Sequence, residues 1–253
     1  MSAAIRVLVV AEGRSEIGDL GALGGPATRR AKPRTAGFIP PILRRVLGRE
    51  VIVEAQKITN LGRYGDAKVP GHGDRAAKAL AVAMQSDYDL LVFVKDVDRT
   101  GATKKSDLER RRKVEAVQAE IQTGFDTVNG AEHVERVKAT PCRMIEAWAL
   151  GDPKAVADVA DRKSARGSCP AQPELLWGDE KNPDSDHPKC LLRRVLGRDA
   201  DAEALEDIAE TASLETLKKS CPESFAPFHQ ELTRAEARLA GRAKSGVRKG
   251  PRR

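Results

Sequence analysis

Long apolar runs are missing from this sequence of 253 residues, of which 40% are hydrophobic, and the mean hydropathy is −0.45. A membrane-spanning helix needs about 18 or more consecutive apolar residues, and no stretch approaches that length. The N-terminal run Val7–Val10 is also too short for the apolar part of a secretory signal. We therefore expect a protein of the cytoplasm with no membrane partner.

Cysteine and aromatic residues are scarce as well. The four cysteines form no Cys-x-x-Cys pair, which argues against a zinc ribbon or a redox motif. Five Phe, two Tyr and two Trp are too few for a platform on which single-stranded bases would stack. The sequence also lacks a helix-turn-helix or zinc-finger pattern for reading bases, and a Walker A motif for binding ATP.

Positive charge is concentrated in two segments. Lys and Arg number 44 against 37 Asp and Glu, which gives a formal net charge of +7. Residues 26–49 contain basic residues and no acid, and residues 234–253 contain eight basic residues and one acid. Because phosphate neutralisation dominates nucleic-acid affinity, we predict that these segments hold a nucleic-acid backbone, with candidate contacts at Arg29, Arg30, Arg248 and Lys249. The alternative is that they serve only solubility.

Short β-branched runs alternate with helical periodicity through the first 140 residues. Strands are predicted near residues 5–10, 51–58, 90–94 and 134–139, the second at an edge because it is less hydrophobic. This alternation predicts an α/β fold with a parallel-rich sheet flanked by helices. We expect an α/β domain over residues 1–142 with a flexible basic insertion at 17–36, a helical extension at 143–240, and a disordered basic tail at 241–253.

Acidic residues follow two of the predicted strands. Asp96 and Asp98 end the third strand two residues apart, so their side chains point the same way. Glu12 ends the first strand, and Glu16 follows one helical turn later. Ligands of such sheets bind at the carboxyl ends of the strands, and close carboxylates repel unless a cation or proton lies between them. The pattern predicts a Mg²⁺ or Mn²⁺ site; the alternatives are that Asp-x-Asp only ends its strand and that Glu16 is an ordinary first-turn acid.

Glu146 is the one charged residue in the apolar stretch Met144–Leu150. Lone charges in such a setting are rarely buried without a partner. Two orientations remain open: Glu146 faces solvent from a narrow stripe, or it points into the site.

Together these motifs resemble the TOPRIM domain of topoisomerases, primases and overcoming-lysogenization-defect nucleases. This resemblance is carried by Glu12-Gly13-Arg-Ser-Glu16 and Asp96-x-Asp98. Three later motifs resemble a bacterial TOPRIM-like family of unknown function that is often encoded near ATPases: Arg143-Met-Ile-Glu146-Ala-Trp148, His187-Pro-Lys189 and Cys221-Pro-x-Ser-Phe225. The sequence departs from the TOPRIM pattern where the basic insertion directly follows Glu16.

The resemblance implies a Rossmann-like fold, a set of metal ligands and an activity. Glu12 would be a metal ligand or the general acid/base, while Glu16, Asp96 and Asp98 would bind Mg²⁺ or Mn²⁺. Glu146 and Lys189 would join in catalysis, and Lys95 and Arg99 would contact the nucleic acid.

The implied activity is metal-dependent phosphodiester hydrolysis, on DNA rather than RNA, by the effector of an anti-phage defence system with a partner ATPase. The alternative from another class is a non-catalytic TOPRIM-like adaptor that binds nucleic acid or a partner ATPase. A third reading is nucleotidyl transfer or RNA cleavage, and assembly into a homo-oligomer is left open.

Overall fold

A parallel sheet of four strands forms the centre of the protein, of which the computed structural model describes residues 4–21, 35–62, 69, 71–97 and 107–244. The strands are β1 (Ile5–Ala11), β2 (Val51–Lys57), β3 (Leu90–Val94) and β4 (Glu135–Ala139), in the order β2-β1-β3-β4. All three strand pairs are parallel. The predicted α/β, Rossmann-like fold is confirmed, and β2 lies at an edge as its lower hydrophobicity indicated.

Helices cover both faces of this sheet. In the described ranges they are α1 (Arg14–Ile17), α2 (Ile39–Leu47), α3 (Gly73–Gln85), α4 (Asp107–Asp126), α5 (Ile145–Ala149), α6 (Pro153–Val159), α7 (Pro188–Leu196), α8 (Ala202–Thr211), α9 (Leu214–Ser220) and α10 (Phe225–Lys244).

The side-chain alternation of β1 divides the core into two clusters. Val7, Val9 and Ala11 pack with residues of α2, α5, α8 and α10 on one face. Leu8 and Val10 pack with residues of α3 and α4 on the other. Because both faces are covered, β1 is apolar from Val7 to Ala11 instead of alternating with polar residues.

The helices that follow residue 143 share the first of these clusters. Trp148 of α5 is fully buried, with ring centroids 5.1 Å from Phe225 and 5.2 Å from Phe228 of α10. Aromatic pairs at this spacing add to the stability gained from burying their area. The strand ends and the later helices are therefore held against each other by one core.

Two boundaries differ from those predicted. Ile17 ends α1 and Gly18–Gly21 forms a 3-10 turn, so the start of the predicted insertion is regular structure. Helix α10 continues to Lys244, past the predicted start of the tail at residue 241. Residues 22–34 of the insertion and 245–253 of the tail lie outside the described residues. No helix in the described part of the chain is long and apolar enough to cross a membrane.

Candidate functional site

The carboxyl ends of β1 and β3 meet at one edge of the sheet. Val10 and Phe93 are partners across these strands, so Glu12 and Lys95, each two residues further on, reach the edge together. Lys95 Nζ donates to Glu12 Oε1 at 2.6 Å, and the Lys95 side chain is only 11% exposed. The structure thus assigns Lys95 to Glu12 as an ion-pair partner; its predicted contact with nucleic acid stays a prediction.

The backbone at Asp96 is fixed from both sides. The N–H groups of Lys95 and Val97 donate to the carbonyls of Ala139 and Pro141, just beyond the hydrogen bonds of β3 with β4. Asp96 therefore extends the line of β3 and is half-buried at the same edge. Convergence of Glu12 and Asp96 at neighbouring strand ends follows from the parallel register.

Glu16 is buried directly behind this edge. Gly13 precedes α1, and its N–H donates to Glu16 Oε2 at 2.9 Å, so Glu16 is a first-turn acid as the alternative reading proposed. It is also only 4% exposed. Burial, together with repulsion from Glu146 and Glu12, raises its pKa from the usual 4.5 to about 7. Glu16 is thus a residue of the first helical turn and also belongs to a group of carboxylates at this edge. We call this group, Glu12, Glu16, Asp96 and Glu146, the acidic cluster.

Glu146 points into the site and not into solvent. It is 2% exposed, and Ser15 Oγ donates to its Oε1 at 2.9 Å. Burial raises the pKa of Glu146, although the neighbouring Lys189 partly opposes this rise. Ser15 does not cap α1, because Gly13 occupies that position; its hydroxyl joins α1 to α5 instead.

Lys189 reaches the cluster from the start of α7. Its Nζ donates to Glu180 Oε1 at 3.1 Å. Burial acts against its charge, but the carboxylates of Glu146, Glu180 and Asp96 outweigh burial and raise the pKa of Lys189. The structure therefore brings the predicted residues Lys189, Glu146 and Asp96 into one electrostatic neighbourhood.

Three neighbours of the cluster were not predicted as site residues. Glu180 lies in an irregular connection without periodicity, and His72 precedes α3 after a polar loop. Burial and the nearby charge of Lys95 lower the pKa of His72, which also lies near Glu12. Ser15 is the third of these neighbours, through its hydrogen bond to Glu146. Local sequence gave no signal for these roles, since each depends on a partner distant in the chain.

Several predicted residues cannot be placed. Outside the described residues lie Asp98, Arg99, Arg29, Arg30, Arg248 and Lys249. Their roles stay predictions.

The chemistry of the cluster suits a hard divalent cation. Its donors are carboxylate oxygens, the ligands that Mg²⁺ and Mn²⁺ prefer, and the raised pKa of Glu16 shows that negative charge there is costly without a cation or proton. Among the described residues, no three His, Cys, Asp or Glu side chains are arranged to hold a metal ion. The described side chains alone, as they stand, therefore do not form a complete ligand set.

A cavity of about 820 Å³ opens beside the cluster, between α1 and the start of α8. Its lining includes Ser15 and Arg14 together with the acids Asp19, Asp201, Glu203, Glu206 and Asp207. Such a lining repels a phosphate group.

The fold and site define an α/β protein with a cluster of carboxylates and lysines at its strand ends. Residues 35–233 match the family described as a domain of unknown function, DUF4276, and the chain belongs to this family. The matched range includes Asp96, Glu146 and Lys189, and it begins after Glu12 and Glu16. No curated protein and no solved structure matched the chain.

Proposed function

We propose that this protein hydrolyses phosphodiester bonds of nucleic acid, DNA in the first place, with Mg²⁺ or Mn²⁺. The observation that carries the proposal is the convergence of Glu12, Glu16, Glu146 and Asp96 with Lys189 at the carboxyl edge of a parallel sheet. Perturbed carboxyl groups clustered with a lysine at this edge are typical of catalytic sites.

The residues divide into cation-binding and phosphate-binding groups. Glu12, Glu16 and Asp96, with Asp98, would hold the metal ion, which when bound stabilises developing charge and lowers the pKa of bound water. Lys189 supplies positive charge for a phosphate. Glu146 lies next to Lys189, and burial raises the pKa of its carboxyl group, which makes it a candidate for proton transfer.

The basic segments support nucleic acid as the substrate. Segments rich in Lys and Arg on the same chain as an acidic centre would help to hold a polyanion that the carboxylates alone would repel. DNA as substrate, the role in defence and the partner ATPase rest on the TOPRIM resemblance. Because the sequence has no Walker A motif, any ATP dependence would come from that partner.

A non-catalytic adaptor is the second candidate. The observation that favours it is the ion pair of Lys95 with Glu12, since a buried lysine already neutralises one carboxylate of the edge without any metal. An adaptor would bind nucleic acid through its basic segments and would not cleave it.

Plasmid cleavage tests the first proposal. Purified protein should nick or degrade DNA with Mg²⁺ or Mn²⁺ and not with EDTA, and Asp96→Asn and Glu12→Gln should abolish cleavage. Glu215→Gln is the matched control, because Glu215 is an exposed acid on α9 paired with Lys218. Circular dichroism verifies that the variants are folded.

Two results would overturn the nuclease proposal. One is cleavage that persists in EDTA, and the other is a wild-type rate in folded Asp96→Asn. Salt-sensitive DNA binding without cleavage under any of these conditions would favour the adaptor.

A further inference from the structure

The start of α7 is held next to the acidic cluster by a rigid connection. Gly178 packs so closely on the backbone of Asp186 and His187 that a Cβ at this position would clash with it. Arg143 donates to the carbonyls of Leu176 and Gly178 at 3.3 and 3.2 Å. These contacts fix the connection between residues 176 and 187 and thereby the position at which α7 begins.

Arg143 is itself held in an unusual conformation. It is a non-glycine residue with a φ of 75°, and its guanidinium lies 4.5 Å from the ring centroid of Trp177. Positive φ values cost free energy and persist only where the surroundings impose them. The guanidinium thus places a buried positive charge close to His187, as its effect on that imidazole shows.

His187 presents an unsatisfied polar atom at this position. It directly precedes α7 and is 4% exposed, and its Nδ1 has no hydrogen-bond partner among the described residues. Burial and the charge of Arg143 lower its pKa and so favour the neutral imidazole. A buried polar atom without a partner is costly, and a bound ligand would remove that cost.

The first turn of α7 adds further donors. Pro188, the first residue of α7, has no N–H, so the leading donors of this helix are the N–H groups of the residues after it, and the helix dipole favours an anion there. Lys189 is the second residue of α7, and its ammonium already holds an anion, the carboxylate of Glu180. Both side chains of this pair are partly exposed, 46% for Lys189 and 60% for Glu180. Such a pair contributes little to stability, so a competing anion can displace Glu180.

We propose that His187, Lys189 and the first turn of α7 form a binding subsite for the phosphate of a nucleic-acid backbone, in which the Glu180 carboxylate takes the place of the phosphate. In this subsite His187 binds the phosphate, and Glu180 competes with the substrate for Lys189. Its role in catalysis rests on the proposed function, but binding of an anion does not require metal or cleavage.

Histidine side-chain NMR with inorganic phosphate tests the subsite in EDTA. The chain has four histidines, so the imidazole ¹⁵N signals of His187 can be resolved and assigned with His187→Asn. Phosphate should shift these signals saturably, whereas NaCl at equal ionic strength should not. Lys189→Ala should weaken phosphate affinity about tenfold or more, the loss expected for a charge-assisted hydrogen bond.

Glu180→Gln supplies the opposite test. Removing a competing surface partner should tighten phosphate binding by about two- to fivefold. Lys154→Ala is the matched control for Lys189→Ala, because Lys154 is an exposed lysine paired with Asp158 on α6. Lys154→Ala should leave the phosphate affinity unchanged.

The subsite is overturned if phosphate gives no saturable shift of His187, or if Lys189→Ala binds as tightly as wild type. It is also overturned if Glu180→Gln does not bind more tightly. Cleavage of DNA without phosphate binding at His187 would remove this subsite alone. Phosphate binding without cleavage would confirm the subsite and remove the proposed nuclease activity.

Discussion

Replacing Glu16 by Gln tests whether the buried carboxyl group of Glu16 makes the unfolding free energy depend on pH. The folded protein holds Glu16 with a pKa of about 7, against 4.5 for an ordinary glutamate, mainly because its carboxyl is buried. Below about pH 4.5 the group is protonated in both the folded and the unfolded chain. As the pH rises from about 4.5 to about 7, the unfolded chain gives up this proton freely, whereas the folded chain must keep it or bury a charge. Stability is therefore lost over that pH window.

The magnitude follows from the difference between the two pKa values. A rise from 4.5 to about 7 corresponds to about 3 kcal/mol of unfolding free energy. Gln carries no charge at any pH, and its side-chain oxygen can still accept the hydrogen bond that Gly13 N–H donates to Glu16. Relative to wild type, Glu16→Gln should therefore gain about 3 kcal/mol between pH 4.5 and pH 8.

Urea unfolding in EDTA at a series of pH values measures this gain. The fluorescence of Trp148, which is fully buried, reports the transition. Glu203→Gln, an exposed acid near the start of α8, is the control and should leave the pH dependence unchanged. A free-energy difference between Glu16→Gln and wild type that stays constant from pH 4.5 to pH 8 would refute the reasoning.

Two further predictions concern the core that supports the site. Ser224 Oγ accepts a hydrogen bond from Trp148 Nε1 at 2.6 Å and donates one to the buried carboxylate of Glu174, so Ser224→Ala should lower the unfolding free energy by about 2–4 kcal/mol. A loss below about 1 kcal/mol in urea unfolding would contradict this prediction. Gly124 of α4 packs on the backbone of Gly73 of α3, and a Cβ at Gly124 would clash with it. Gly124→Ala should therefore lower the unfolding free energy by about 1–3 kcal/mol and lower the Tm measured by calorimetry. An unchanged Tm would count against the close helix contact.

The fold could be predicted because its signals are local. Each strand is a short run of apolar or alternating residues, and the lower hydrophobicity of β2 placed it at an edge. The sequence also predicted that Glu12 and Asp96 lie at the same edge of the sheet, because the carboxyl ends of neighbouring parallel strands lie at one edge. These inferences needed only periodicity and topology.

The rest of the site depends on contacts between distant parts of the chain. Ser15 and Glu146 are 131 residues apart, and their hydrogen bond exists because α5 packs against α1. The inward orientation of Glu146 therefore could not be decided from its apolar surroundings alone. Glu180 meets Lys189 through an irregular loop whose path is fixed by the carbonyl contacts of Arg143, and no sequence periodicity encodes such a path.

The two lysine–carboxylate pairs explain how one sheet edge can serve both a cation and a polyanion under the proposed function. Lys95 neutralises Glu12 and Lys189 neutralises Glu180, so the edge is partly charge-balanced without any ligand. A cation bound by Glu12 would release Lys95, and a phosphate bound by Lys189 would release Glu180. Cation binding would thus free the positive charge of Lys95, and phosphate binding would free the negative charge of Glu180. Each freed side chain would then either pair with the other ligand or turn to solvent. If the carboxylates hold a cation, we expect the cation and a phosphate to favour each other's binding, because each would release a charge that attracts the other.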